Sequence, residues 1–108
     1  MNEQIPAGVQ ENLKAGPQSQ SAVISVLGYD RIGIISTVST ILSMRKVNIE
    51  NITQTIMDSF FTMVMMVDLS QMETDFESLS AELEVAGDQM GVKVRIQHED
   101  IFNSMHRL

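Results

Sequence analysis

The fold of this chain is decided by the stretch from Ser21 to Asp68, SAVISVLGYDRIGIISTVSTILSMRKVNIENITQTIMDSFFTMVMMVD. It begins with an apolar run that ends at Leu27, and a turn flanked by Gly28 and Gly33 follows. Apolar residues then recur at helical spacing, and two extended runs complete the stretch. This order predicts a strand, a tight turn, a helix and a pair of strands.

The first strand and the first helix are expected to have different surroundings. Residues 21–27 are apolar on both faces, which is typical of a strand in the middle of a sheet. Residues 31–46 are predicted as a helix because Ile34, Val38 and Leu42 lie on one stripe. Serine and threonine fill most of the remaining positions, and no charged residue follows until the last turn. Small polar side chains of this kind suit close packing against another chain.

The two extended runs predict a hairpin. Residues 47–57 and residues 60–69 are joined by two polar residues, and the second run is apolar on both faces. The alternation of the first run breaks between Ile49 and Ile52. We therefore expect a β-bulge near Glu50.

A second helix follows the hairpin. Thr74, with Glu77 three residues later, fits a capping box that would start this helix. Apolar residues at spacings of three and four run on from Phe76, and Gly91 is expected to end the helix. Gly87 would weaken its last turn.

The chain ends with a strand and a short helix. From Val92 to Gln97, apolar and polar residues alternate, which predicts an edge strand with one solvated face. Asp100 is expected to cap a final helix from Ile101 to Arg107.

The order strand, helix, strand, strand, helix, strand predicts an α+β fold of the ferredoxin-like βαββαβ type. One four-stranded antiparallel sheet would carry both helices on one face. We expect residues 1–20 to form a flexible N-terminal extension, residues 21–98 the domain and residues 99–108 the short C-terminal helix. The alternative for residues 1–20 is a segment that packs on the domain or on a partner.

Composition excludes several function classes. The chain has 108 residues, 7 Lys and Arg against 14 Asp and Glu, and a net charge of −7. Binding to nucleic acid needs clustered cations, and anionic membrane surfaces are disfavoured for the same reason. With no cysteine, the chain cannot form a disulfide or a thiolate metal site. The sequence contains no recognisable signal peptide or apolar run long enough to span a bilayer, so we expect a soluble cytoplasmic protein.

The sheet itself predicts a partner. Two strands are apolar on both faces, so a monomer with both helices on one face would expose an apolar surface on the other. A second subunit, the final helix or residues 1–20 could cover that surface. We expect a homodimer, because closed symmetric pairs are the commonest oligomers.

The turn from Gly28 to Gly33 is the first candidate site. A glycine lets a ligand approach the main chain, and the first N–H groups of a helix favour a negative group such as a carboxylate. Asp30 would either cap the helix or hold an ammonium group. The alternative is a tight strand-to-helix connection in which Asp30 is a plain N-cap.

Asn48 is the second candidate, because its amide donates and accepts hydrogen bonds and so suits a zwitterion. Asn51 and Gln54 are weaker candidates of the same type. The two histidines, His98 and His106, match no common zinc spacing and are interpreted as surface or interface residues. No metal site or cofactor is predicted.

The sequence resembles the ACT domain at VLGYDRIGI (residues 26–34), at the Asn48-Ile49 pair, and at QTIM (residues 54–57) and FTM (residues 61–63). The resemblance covers about residues 21–98 and is greatest to small stand-alone bacterial ACT proteins of unassigned function. It implies a βαββαβ domain that dimerises and often binds an amino acid at the subunit interface. The ligand-contacting candidates that it implies are Gly28, Tyr29, Asp30, Ile32, Gly33, Asn48 and Ile49.

Three functions compete at this point. The first is a dimeric regulatory module that binds an amino acid and signals to a metabolic enzyme or regulator. The second is a dimeric scaffold that binds no ligand. The third is a small ferredoxin-like enzyme, an acyl-phosphate hydrolase or a mutase, for which Arg31 is the only cation in the turn. We expect no enzyme activity. The identities of the ligand and of the regulated partner, the dimer geometry and the role of residues 1–20 are left open.

Overall fold

The computed structural model describes residues 20–29 and 32–106, with side chains described up to residue 102. Its strands and helices follow the predicted order. They are β1 (Ser21–Tyr29), α1 (Ile34–Met44), β2 (Asn48–Met57), β3 (Phe60–Asp68), α2 (Phe76–Met90), β4 (Val92–His98) and α3 (Glu99–His106).

The four strands form one antiparallel sheet in the order β2-β3-β1-β4. β1 lies between β3 and β4, which confirms its prediction as a central strand, and β4 lies at one edge as expected. The register of β2 against β3 shifts between Ile49 and Asn51, so the predicted bulge is present. The predicted ferredoxin-like arrangement is therefore confirmed.

Both long helices pack on the same face of the sheet. Their buried residues belong to one apolar cluster with the inward-facing residues of β1, β3 and β4, against which Ile49 of β2 also packs. The cluster contains Ile34, Val38 and Leu42 of α1, Leu79 and Leu83 of α2, and Ala22, Ile24, Val26, Phe61, Met63, Met65, Val67, Val92, Val94 and Ile96 of the sheet. A bidentate ion pair from Arg45 to Glu82, with a shorter N–O distance of 2.9 Å, joins the end of α1 to α2.

The connection between β1 and α1 differs from the prediction. β1 continues to Tyr29, so Gly28 lies inside the strand and not in the turn. A Cβ on Gly28 would lie 2.8 Å from Cγ1 of Val92, which means that this glycine allows two strands to pack closely. The residue with a left-handed backbone is Gly33, with φ of 91°, and α1 begins only after it.

The start of α2 also needs a correction. Asp75, and not Thr74, is the N-cap, and its carboxylate accepts hydrogen bonds from the Ser78 hydroxyl (2.7 Å) and the Ser78 backbone N–H (3.1 Å). Gly87 lies inside the helix, which continues to Met90, and it is buried; a Cβ there would lie 2.6 Å from Cγ2 of Val94. Gly91 ends the helix with φ of 76°, as predicted.

The final helix begins at Glu99, two residues earlier than expected, so Asp100 lies in its first turn and does not cap it. α3 lies against β1 and β4. Val23 points to the sheet face opposite α1 and α2, yet it is only 1% exposed. At its other end this face is bare and carries an exposed apolar patch, Leu27, Tyr29, Met57 and Phe60.

Candidate functional site

A long free edge runs beside α1. β2 pairs only with β3 among the described strands, and all of its residues except Ile49 are exposed. Ile52 and Ile56 lie on the same side of the sheet as α1, because they are opposite the buried residues Met65 and Phe61. Glu50 is the only charged residue in the strand. This edge, which carries a single charge, is flanked by a groove at each end of α1.

The groove at the start of α1, here called the N-terminal groove, has a volume of about 310 Å³. It is lined by Gly33, Ile34, Ile35, Ser36, Gln54, Ile56 and Phe61. The first hydrogen bond of the helix runs from the Thr37 N–H to the Gly33 carbonyl oxygen, at 2.8 Å. The preceding N–H groups therefore have no partner inside the helix. No side chain caps α1 in the described chain, and its first turn contains no acidic residue.

The groove at the other end of α1, here called the C-terminal groove, has a volume of about 490 Å³. It is lined by Ser39, Ser43, Lys46, Val47, Asn48, Ile49 and Gln71. Most of these side chains are polar, and Lys46 is the only charged one. Lys46 has φ of 62°, and its N–H donates to the Ser43 carbonyl oxygen at 3.2 Å.

The predicted site residues at the end of β1 do not all lie together. Gly33 lines the N-terminal groove, and Ile32 beside it is fully exposed. Gly28 is packed beneath Val92, and Tyr29 points to the bare face of the sheet. There its ring meets the ring of Phe60 edge-on, with centroids 6.0 Å apart. Asp30 and Arg31 lie outside the described residues.

The other two predicted residues, Asn48 and Ile49, line the C-terminal groove. Ile49 also packs against the core. α1 has 11 residues, so Gly33 before the helix and Asn48 after it are about 16 Å apart along the helix axis, at a rise of about 1.5 Å per residue, although the two groove linings approach each other at Ser36 and Ser39. A single copy of the chain therefore holds the two groups of candidates apart.

Sequence reasoning missed most of the groove residues. Ser36, Ser39, Ser43, Lys46 and Gln71 were not predicted as site residues, although Gln54 was weighed as a weaker candidate and lines the N-terminal groove. The available signal was the run of hydroxyl residues on α1, which indicated a packing surface.

Other polar groups contribute less to a site. A third groove, of about 440 Å³, lies between α2 and the edge of β4 and is lined by Glu84, Asp88, Lys93, Val94 and Arg95. His98 is half-buried and stacks on Phe76, with ring centroids 4.1 Å apart, so it belongs to the packing at the start of α2. The side chain of His106 lies outside the described residues.

The described residues contain no group of three or more His, Asp or Glu side chains that could hold a metal ion. Within the same part of the chain, no helix has the length and apolar character that crossing a membrane requires.

Comparison with known proteins agrees with this fold. The family model of the ACT domain matches residues 20–97. A UPF0237 protein of Methanocaldococcus jannaschii is 51% identical over 86 residues, which are 80% of this chain and 96% of that protein. A solved structure described as an ACT domain protein from Streptococcus pneumoniae is 37% identical, with a TM-score of 0.68. The match covers 82% of this chain and 100% of that one.

A larger protein has the same fold but little sequence similarity to this chain. A formyltetrahydrofolate deformylase from Burkholderia mallei superposes with a TM-score of 0.66 at 14% identity. The match covers 73% of this chain and 28% of the deformylase. At this identity the likeness concerns the fold and not the activity.

Proposed function

Because the chain belongs to the ACT domain family, we propose that it is a regulatory module that binds a small amino acid as a homodimer and signals to a partner protein. The observation that carries this proposal is the pair of grooves at the two ends of α1, beside the edge of β2 that has no partner among the described strands. Each groove holds one part of the predicted site, and a second copy can bring the parts together.

The free edge of β2 suits pairing with the same strand of a second copy. An edge strand presents unpaired backbone groups that another strand can bind, and charged residues normally discourage this. β2 has ten residues and only one charge, and it carries the exposed side chains of Ile52 and Ile56 beside α1. The hydroxyl residues Ser36 and Ser39 lie on the same flank and are small enough to allow close approach.

Symmetry then combines the two grooves. A two-fold axis through the middle of β2 makes the two strands antiparallel and sets Asn48 of one copy opposite Met57 of the other. The C-terminal groove of one copy would then lie beside the N-terminal groove of its mate. Two equivalent composite sites result, each formed by residues of both chains.

A zwitterion fits the groups in such a site. The free N–H groups at the start of α1 and the helix dipole favour a carboxylate. The amide of Asn48 can accept a hydrogen bond from an ammonium group and also donate one. Because the ligand contacts both copies, it would favour one arrangement of the dimer, which is how occupancy could be signalled to a partner.

We propose no catalytic role for the module. Among the described residues, Lys46 is the only titratable side chain that lines either groove. Acid–base or nucleophilic chemistry generally needs a reacting group together with a second group that activates it.

The second candidate function is a scaffold without a ligand. It is favoured by the exposed apolar patch of Leu27, Tyr29, Met57 and Phe60, which suits contact with another protein. This function requires the dimer but no occupied groove.

The experiment is a thermal-shift screen against the twenty amino acids, followed by calorimetric titration of any hit. A ligand at 100 times its Kd adds about 2.7 kcal/mol of stability, which a melting curve resolves. Asn48→Ala should abolish the shift. Asn51→Ala is the matched control, because Asn51 is an exposed asparagine of the same strand that lines neither groove. If no amino acid raises the melting temperature, the scaffold is the candidate function that remains.

A further inference from the structure

We infer that the ligand of this module is an acidic amino acid, whose side-chain carboxylate is bound by Lys46. This inference rests on the proposed function and specifies its substrate class. It starts from the charge of the C-terminal groove, where Lys46 is the only charged residue among the described lining residues, and serine, asparagine and glutamine supply hydrogen-bond donors. A groove with one cation and several donors favours a negative group and disfavours a basic one.

The positive charge of Lys46 is left unused by the protein. The neighbouring Arg45 is neutralised by a bidentate ion pair with Glu82. Lys46, in contrast, pairs with no carboxylate among the residues that the structure describes. The chain has twice as many acidic as basic residues, so a lysine without an acidic neighbour is available for an external anion.

The backbone conformation of Lys46 also supports this inference. Lys46 follows α1 in the left-handed conformation, with φ of 62°, which is unfavourable for any residue with a Cβ. Helices commonly end on glycine at this position, and α2 does so at Gly91, with φ of 76°. A lysine held in a glycine conformation indicates that its side chain is needed where it stands, at the wall of a groove.

The composite site gives each charged group of the ligand a partner. The α-carboxylate would meet the start of α1 of one copy, while the ammonium group would meet Asn48 of the other. Lys46 lies two residues before Asn48 in that second copy and lines the same groove. A side chain extending away from Asn48 would therefore bring its carboxylate to Lys46, with the hydroxyl groups of Ser39 and Ser43 on the same wall.

The test compares glutamate and aspartate with glutamine and asparagine by calorimetric titration of the full chain. The wild type should bind an acidic amino acid about tenfold or more tightly than its amide, the effect of one charge-assisted hydrogen bond. Lys46→Gln should remove this preference. Lys93→Gln, which changes net charge equally at an exposed site on β4, should keep it.

A second variant, Lys46→Gly, guards against a loss of binding that is caused by unfolding. Glycine is the residue favoured at a left-handed position, so this variant is expected to keep the fold. Loss of the acidic preference in this variant, with an unchanged or higher melting temperature, would support the inference. Equal or tighter binding of neutral amino acids by the wild type would overturn it, as would an acidic preference that survives Lys46→Gln. In both cases the proposed function stands, whereas binding of no amino acid would overturn the proposed function and the inference together.

Discussion

The two long helices of this domain pack on the same sheet but begin in opposite ways. α2 begins with a side-chain cap from Asp75, carries Glu77 in its first turn and ends on the left-handed Gly91. α1 begins at an uncapped Gly33 with no acidic residue in its first turn, and it ends at a left-handed lysine. Both ends of α2 are satisfied within the chain, and so is the end of α1, where the carbonyl oxygens of Ile41, Leu42 and Ser43 accept hydrogen bonds from the residues that follow. Only the start of α1 has no side-chain cap in the described chain.

The difference extends to the flanks of the helices. α2 approaches the sheet so closely that only glycine fits at position 87. α1 contacts the sheet through one stripe and leaves a flank of small hydroxyl residues beside the free edge of β2. Both helices therefore contribute a buried stripe to the core, but only α1 also forms walls of the candidate site.

The largest expected effect is on the packing of α2. Gly87→Ala should destabilise the domain by about 1–3 kcal/mol, because its Cβ would overlap Val94 and the carbonyl oxygen of Val92. Helix propensity alone predicts the reverse, a gain of about 1 kcal/mol. Denaturant unfolding decides between the two, and a more stable variant would show that α2 can move away from the sheet.

The next effect concerns the end of α2. Gly91→Ala should cost about 1 kcal/mol, since the residue has φ of 76° and no atom lies near enough to clash with the new Cβ. Because the new Cβ meets no other atom, the change in the free energy of unfolding measures the cost of the left-handed backbone alone. An unchanged stability would mean that the helix end can relax.

The equivalent change at the end of α1 should have the opposite sign. Lys46→Gly should leave the domain as stable as the wild type or more stable by up to about 1 kcal/mol, because it relieves a left-handed lysine. Thermal unfolding without ligand is the measurement. A clear loss of stability would show that the Lys46 side chain supports the fold and would weaken the contrast between the two helix ends.

The smallest expected effect is a pH dependence at the start of α2. The hydrogen bond from the Ser78 hydroxyl, and then that from the Ser78 backbone N–H, lowers the pKa of Asp75. The cap therefore contributes its stability above the ordinary carboxyl pKa and loses it as the pH falls through the lowered value. Asp75→Asn should reduce the melting temperature slightly at neutral pH, and the difference from wild type should shrink in acid. A constant difference across this range would mean that the charge of Asp75 plays no part in the cap.

The predictable part of this molecule is the part that depends on local periodicity. The alternation in the strands and the stripes on the helices sufficed for the element order, the antiparallel sheet and the bulge before Ile52. The roles of Gly28 and Gly87 were missed because each is set by a residue of β4, and such contacts between elements leave no local pattern. The cap of α2 was missed because Thr74 and Asp75 are both good N-caps and only the path of the chain selects one.

The candidate site was predictable only in pieces. Gly33 and Asn48, two of the predicted ligand-contacting residues, each line a groove, yet they lie at opposite ends of α1. Their relation depends on a second copy, and a single sequence carries no direct signal for such pairing. Lys46 escaped notice because a lysine after a helix is ordinary, and its left-handed backbone becomes evident only in three dimensions.

The bulge in β2 makes chain length, and not only residue type, a requirement at this edge. Ile49 packs on the core and Ile52 lies beside α1, although three positions separate them, because one extra residue is accommodated between. Deleting Glu50 would place Ile49 and Ile52 two positions apart, so a regular strand without a bulge would keep both on the face that borders α1. Inserting a second residue beside Glu50 would instead require a wider bulge, or Ile52, Gln54 and Ile56 would turn away from that flank. This edge is therefore expected to tolerate the loss of one residue better than the gain of one.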